Sequence, residues 1–170
     1  VLLRKPAHVV GDGEHTIQEL VDRKNDNPLR GTGHRSPLES LQVGASELLT
    51  LKDQGLTVED IPEEGQTVFL RTTSNISTGG DSIDFTDQMD PSYKKIAGQI
   101  SDALGATVSG IDLIIPDYQQ ASRADQPGYH CLEANFNPAM HMHMYVADGE
   151  GQRVTLDILN LLFPELKLLE

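Results

Sequence analysis

Cysteine is nearly absent. Cys131 is the only one in 170 residues, which excludes an internal disulfide and fits a reducing, cytoplasmic setting. Its place in the apolar pattern YHCLEAN predicts a buried structural thiol. Long apolar runs are also missing. No stretch of about 18 apolar residues exists, so a membrane-spanning helix is excluded. The opening VLLRKPAHVV is broken by Arg4 and Lys5, so it reads as a strand entering a loop rather than a signal peptide. Positive charge is scarce, with 13 Lys and Arg against 26 Asp and Glu, a net charge of −13. That argues against a nucleic-acid partner. It suits metal binding, and a locally basic cleft can still take a small anionic substrate. The patterns GxSxG, HExxH and GxxxxGK[ST] are absent, which leaves a serine hydrolase, zinc protease or P-loop ATPase unsupported. An initiating Met is lacking too. The abrupt start on an apolar strand leads us to expect one domain-sized piece of a longer polypeptide.

Thr16-Ile17-Gln18-Glu19 has capping-box spacing ahead of apolar Ile17, Leu20 and Val21, predicting a helix over about 16–26 that Asn27-Pro28 ends. The stretch LRGTGHRSPLES reads as a loop. A short strand at about 39–44 and a helix at about 46–54, closed by Gly55, are expected next. VEDIPEEGQ suggests one helical turn and then a tight turn. TVFLRTTSN has a strand's β-branched and aromatic composition, and ISTGGDSIDFTDQMD reads as a loop. Pro91 opens a helix over about 91–104 that Gly105 stops. ATVSGIDLIIPD and GYHCLEANF are expected to pair as antiparallel strands. A Met- and His-rich loop and a helix over about 153–163 complete the chain. Hairpin-like strand pairs interspersed with helices point to an α+β fold, mainly antiparallel sheet with flanking helices.

Period two places Glu133 and Asn135 on one strand face about 7 Å apart, and both carry oxygen donors. Asp112 interrupts the apolar run Ile111, Leu113, Ile114 and Ile115, where an unpaired acid is costly to bury. A divalent cation would satisfy it. Two carboxylates and an amide oxygen leave coordination positions open, as Mg²⁺ prefers when bridging to phosphates. On spacing alone the alternative stands beside this: two solvent-face residues and an ion-paired or turn aspartate. RTTSNISTGG, residues 71–80, puts an arginine before a hydroxyl- and glycine-rich loop. Such a loop can turn backbone N–H groups toward an anion, with Arg71 a fixed fork for carboxylate or phosphate, or it can be a polar surface turn. GDGEHT, with Gly11 and Gly13, is equally open. His141 and His143 lack a zinc ligand pattern and read better as the lining of a strand or loop.

Taken in order, RKPAHVVGDGEHTIQELV, NPLRGTGH, VFLRTTSNISTGGDSIDFTD, GIDLIIPD and LEANFNPAMHMHMY resemble the C-terminal part of the ATP-grasp ligases over nearly the whole chain. The nearest resemblance is to the glutathione synthetase module of bacterial bifunctional glutathione biosynthesis proteins. Cyanophycin synthetases are similar through the first four segments, but usually carry a Gly-containing loop where this chain has NFNPAMHMHMY. The resemblance implies that Asp112, Glu133 and Asn135 hold the Mg²⁺ (or Mn²⁺) ions that bind ATP phosphates. It also implies phosphate or substrate contacts near Arg71 and Asn75, with Arg4, Ser77, Thr78, Gly79 and Gly80 as nucleotide-binding candidates. Many ATP-grasp ligases have Arg two residues before the metal-binding Asp, where this chain has Gly110. Arg71 or Arg4 is the candidate replacement for that charge.

The implied reaction joins γ-glutamylcysteine and glycine at the expense of ATP through an acylphosphate. The implied partners are an upstream ATP-grasp subdomain and a glutamate–cysteine ligase domain, with a homodimer left open. The preceding subdomain's phosphate-binding Lys and adenine hinge have no counterpart here, so residues 1–170 are expected to form one wall of the site and to be inactive alone. A peptide ligase of the cyanophycin type, and a non-catalytic ATP-grasp-like binding domain, are the other readings.

Overall fold

The computed structural model describes residues 1–33 and 35–166. His34, inside NPLRGTGH, lies outside the described residues. The chain divides into two compact units.

The first unit comprises residues 2–84 and 141–151. Its strands form three two-stranded ladders. Strand β1 (Leu2–Lys5) pairs antiparallel with β6 (Asp81–Asp84), β2 (His8–Val10) pairs antiparallel with β5 (Thr67–Phe69), and β3 (Arg30–Gly31) pairs parallel with β4 (Leu38–Glu39). Helix α1 (Ile17–Asn25) begins at Thr16, whose hydroxyl accepts from the Glu19 N–H while the Glu19 carboxylate accepts from the Thr16 N–H. This satisfies two of the donors that a helix start leaves orphaned. Ile17, Leu20 and Val21, spaced for one helix face, are buried. They meet Ala7, Val9, Leu41, Val68 and Leu70, with Leu51 from α2 (Ala45–Asp53), in the core cluster.

The second unit comprises Val1, residues 85–140 and residues from 152 onward. Helix α3 (Pro91–Ala103) starts where the Asp90 carboxylate accepts from the Ser92 N–H, with Pro91 in the first turn. Strands β7 (Gly110–Ile114) and β8 (His130–Asn135) form an antiparallel ladder, and α5 (Val154–Leu162) follows. Among the described residues of this unit Tyr93 is the one hydrophobic side chain in the buried set, while Leu132, Phe136, Leu161 and Leu162 are exposed.

The class is α+β, with α1, α2, α3, α5 and the β7–β8 hairpin all close to their expected bounds. Five expectations fail. The strand expected at 39–44 is only Leu38–Glu39, because its partner β3 offers just Arg30 and Gly31. VEDIPEEGQ contains turns and no helix; the Asp60 carboxylate bonds the Thr57 N–H and hydroxyl and closes a turn instead. Asp81–Asp84, read as loop, is a strand because β1 supplies a full antiparallel register for it. The Met- and His-rich loop forms a short helix, α4 (His141–Met144), and Cys131, expected buried, is exposed. The exposure of Cys131 follows from sheet size, which local composition does not encode: β8 sits in a two-stranded ladder.

Burial differs sharply between Leu70, at 0% exposure, and Leu132, at 62%. In this chain Leu70→Ala should cost about 2–5 kcal/mol in urea unfolding, whereas Leu132→Ala should stay within about 0.5 kcal/mol of the parent.

Candidate metal and anion sites

The β7–β8 register sets Asp112 opposite Glu133 and Gly110 opposite Asn135. Residues opposed across a ladder share a face, so the three oxygen-bearing side chains converge on one side of the hairpin. A register shift follows, with Leu113 opposite Cys131, so Leu132 is the extra residue of a bulge. The bulge separates Cys131 from Glu133 and Asn135, although the three are evenly spaced in sequence. Asn135 donates its amide N–H to a Glu133 carboxylate oxygen at 3.0 Å, which fixes the amide's orientation and leaves its oxygen as the other terminal atom. Glu133 and Asn135 are exposed and Asp112 is half-buried. Hard oxygen donors on an accessible face fit a divalent cation that also takes oxygens from elsewhere. Among the described residues no group of three or more His, Cys, Asp or Glu side chains could hold a metal; two carboxylates with one amide are a different donor set.

Gly110 departs from the arginine of many ATP-grasp ligases for a steric reason. A Cβ at this position would sit 2.9 Å from the Cβ of Pro138, so any side chain here requires Pro138 to move.

The remaining candidates lie in the first unit. Arg71 donates from Nε to a Glu47 carboxylate oxygen at 2.5 Å, and the other oxygen of Glu47 accepts the Gly44 N–H at the start of α2. The guanidinium is thus held in place beside a recess of about 370 Å³ that Phe69, Thr50 and Gln54 also line. Loop 75–80 does not open its amides to an anion. The Ser77 N–H and hydroxyl bond the Asn75 side-chain oxygen, the Thr78 and Gly80 N–H groups bond the Asn75 carbonyl, and Gly79 N–H bonds the Ile76 carbonyl. Asn75 is the N-cap of a 3-10 turn, Ile76–Thr78, and Gly79 closes it at φ 88°. A Cβ on Gly80 would lie 2.6 Å from the carbonyl oxygens of both Asn75 and Lys5, so the chain can pass there only as glycine. Arg4 is half-buried on β1 opposite Ser82. The GDGEHT loop is a turn: Asp12 accepts from the Glu14 and His15 N–H groups, which hold its carboxyl down to about 2.

Sequence reasoning missed a second cluster. Asp81, 7% exposed, takes Lys24 Nζ on one oxygen at 2.6 Å and the Arg30 guanidinium on the other. Arg30 also donates to the carbonyls of Glu39 and Gly79, and Lys24 to that of His8 at 2.7 Å. Burial lowers the pKa of Lys24, with Asp81 opposing, and likewise that of Arg30. The separations of 57 and 51 residues leave no local pattern to find. The double glycine before Asp81 was the one visible hint.

No protein-family model matches the sequence. The chain is 57% identical over 165 residues, 97% of its length, to the glutathione biosynthesis bifunctional protein GshAB of Enterococcus faecalis. It is 55% identical over 166 residues to the protein of that name from Mannheimia succiniciproducens. The crystal structure of a bifunctional glutathione synthetase from Pasteurella multocida matches 96% of the chain with a TM-score of 0.89 at 52% identity. Its homologues are the bifunctional glutathione biosynthesis proteins. The chain spans 22% of the length of these relatives. The segment it shares with the bifunctional glutathione biosynthesis proteins is long enough to take in both the β7–β8 triad and the Asp81 cluster.

His8 gives the first unit a pH dependence. Burial, and next the Lys24 charge, hold its imidazole below the ordinary histidine value. The unfolded chain therefore binds this proton more readily, so the contribution of His8 is fully present above about pH 6.5 and is lost as pH falls from there through the lower folded value. Urea midpoints should drop as pH falls below about 6.5, and His8→Gln should flatten that part of the profile.

Proposed function

We propose that this chain is the C-terminal part of the ATP-grasp domain of a bifunctional glutathione biosynthesis protein, supplying the metal-binding wall for the glutathione synthetase step. The observation that carries the reading is the β7–β8 register, which sets Asp112 against Glu133 with Asn135 on the same face. The identity to proteins named for glutathione biosynthesis supports the pathway and favours it over a cyanophycin-type peptide ligase.

In this reading ATP and a divalent ion, Mg²⁺ or Mn²⁺, are the cofactors, and γ-glutamylcysteine and glycine the substrates. The ion would draw charge from the β- and γ-phosphates. Asp112 and Glu133 would hold it with their carboxylates and Asn135 with its amide oxygen. The Asn135-to-Glu133 hydrogen bond keeps both side chains in place before the ligand arrives, which lowers the cost of ordering them. The dipeptide carboxylate attacks the γ-phosphorus and ADP departs; the glycine amine then displaces phosphate from the acylphosphate. Such chemistry relies on positioning and electrostatics. Within the first unit Arg71, oriented by Glu47, is the candidate fork for a carboxylate or phosphate, and Arg4 with the side chains of Asn75, Ser77 and Thr78 are candidates for contacts of the same kind. Gly79 and Gly80 serve by shaping the loop. The other nucleotide-clamping subdomain, and the glutamate–cysteine ligase domain, would come from the rest of the protein.

In the intact protein, Asp112→Asn with Glu133→Gln should lower the glutathione synthetase kcat by about 10²–10³-fold or more, and weaken Mg-ATP binding by calorimetry, with circular dichroism unchanged. Mg-ATP binding indifferent to the double substitution would favour a non-catalytic scaffold. Residues 1–170 purified alone should make no glutathione from γ-glutamylcysteine, glycine and ATP. Turnover at the rate of the intact protein would remove the idea that they form only one wall.

A further inference from the structure

One recess of the first unit, about 220 Å³, collects basic groups in a chain whose net charge is −13. Lys5 on β1, His8 on β2, Lys24 on α1 and Arg30 on β3 line it, facing Asp81 on β6 and Asp148. Five elements thus deliver these side chains to one place, and three fixed cations meet two carboxylates. The carboxylates are unequal. Asp81 is buried and already engages both Lys24 and Arg30, while Asp148 is exposed, where solvent screens it. Among the described residues the Lys5 ammonium has no ion-pair partner.

An ion cluster needed only to hold strands together would be expected to balance its charge. This one is left cationic and open. Its donors are also placed for a ligand. Lys24 has three N–H donors, of which the His8 carbonyl and Asp81 take two. The Asn27 side-chain oxygen accepts the Leu29 N–H, which leaves its amide nitrogen as the donor end. His8 approaches the Pro6 carbonyl through Nδ1 at 2.9 Å, so Nε2 is the nitrogen available to a ligand. Arg30, with its side chain 1% exposed, sets the local potential from behind. Ile83 and Ala147 supply apolar wall. The volume is several times the roughly 30 Å³ of a water molecule.

We propose that this recess binds a small oxyanion, a carboxylate or phosphate group carried by a low-molecular-weight ligand. Lys5, the Lys24 ammonium and the Asn27 amide are the donors, and His8 Nε2, an acceptor while Nδ1–H donates to the Pro6 carbonyl, joins them only when binding brings a proton onto it. The inference stands on the first unit alone and does not depend on the ligase reading. Burial first, and the Lys24 charge next, hold the His8 pKa low, and a bound anion would raise it by linkage.

The test uses the intact protein labelled at histidine ¹³Cε1, with the His8 signal assigned by its loss in His8→Gln. Sodium phosphate and sodium acetate are titrated separately at constant ionic strength, against sodium chloride. The His8 signal should move saturably, its pKa should rise at saturation, and Lys5→Gln should weaken the apparent affinity roughly tenfold. Saturation by phosphate alone identifies a phosphoryl-bearing ligand, and by acetate alone a carboxylate. Lys5 is exposed, so its substitution leaves folding intact. A His8 signal that responds to chloride as it does to the oxyanions, fails to saturate, or titrates identically in Lys5→Gln would overturn the proposal.

Discussion

The Asp81 carboxylate ties the first unit together. It lies on β6, and through Lys24 and Arg30 it fixes the end of α1 and the start of the β3–β4 ladder. Arg30 carries the connection further, to the Glu39 carbonyl on β4 and to Gly79 in the 3-10 turn that precedes β6. A buried ion pair adds little net stability when complete, yet removing one partner typically costs about 3–5 kcal/mol because the other charge is stranded. Its effect here is therefore one of specificity: neither cation can leave the carboxylate without stranding the buried charge of Asp81. The tight turn at Gly79 and Gly80 belongs to the same arrangement, since the chain passes against Leu41 and the Lys5 carbonyl on its way into β6.

In the second unit the controlling constraint is backbone register. An antiparallel ladder that pairs Asp112 with Glu133 brings two carboxylates together, which would repel each other without a cation or hydrogen-bond donors nearby. Asn135 provides one such donor, to Glu133. The bulge at Leu132 allows this ladder to continue while turning Cys131 away from the oxygen donors, so a soft sulfur is kept off the face that carries the hard oxygen donors. Pro138 closes the space over Gly110 and so explains the absence of an arginine there.

Arg71 and loop 75–80 show how one composition leaves two geometries open, an anion-facing loop and a polar turn. The hydroxyls and glycines of RTTSNISTGG suggested amides turned toward a ligand, but the same composition caps a 3-10 turn, and the amides of residues 77–80 bond within it. Ser, Thr and Asn compete for backbone donors wherever they occur. Only geometry shows whether the loop or a ligand wins. The arginine, by contrast, is oriented by Glu47, a partner 24 residues away that no local pattern marks.

The sequence by itself determined α1, α2, α3, α5 and the β7–β8 hairpin, because the capping box at Thr16 and Glu19, the Asp90-Pro91 start and the apolar alternation act over a few residues. It also determined the pairing of Asp112 with Glu133 and Asn135 as a candidate, since period two and an acid in an apolar run are local signals. Tertiary structure alone decided that Asp81–Asp84 is a strand, that Cys131 is exposed, and that Lys5, His8, Lys24 and Arg30 share one recess. The reason is physical: a strand's hydrogen bonds, a side chain's burial and a cluster's charge depend on neighbours supplied from tens of residues away, and no local propensity contains them.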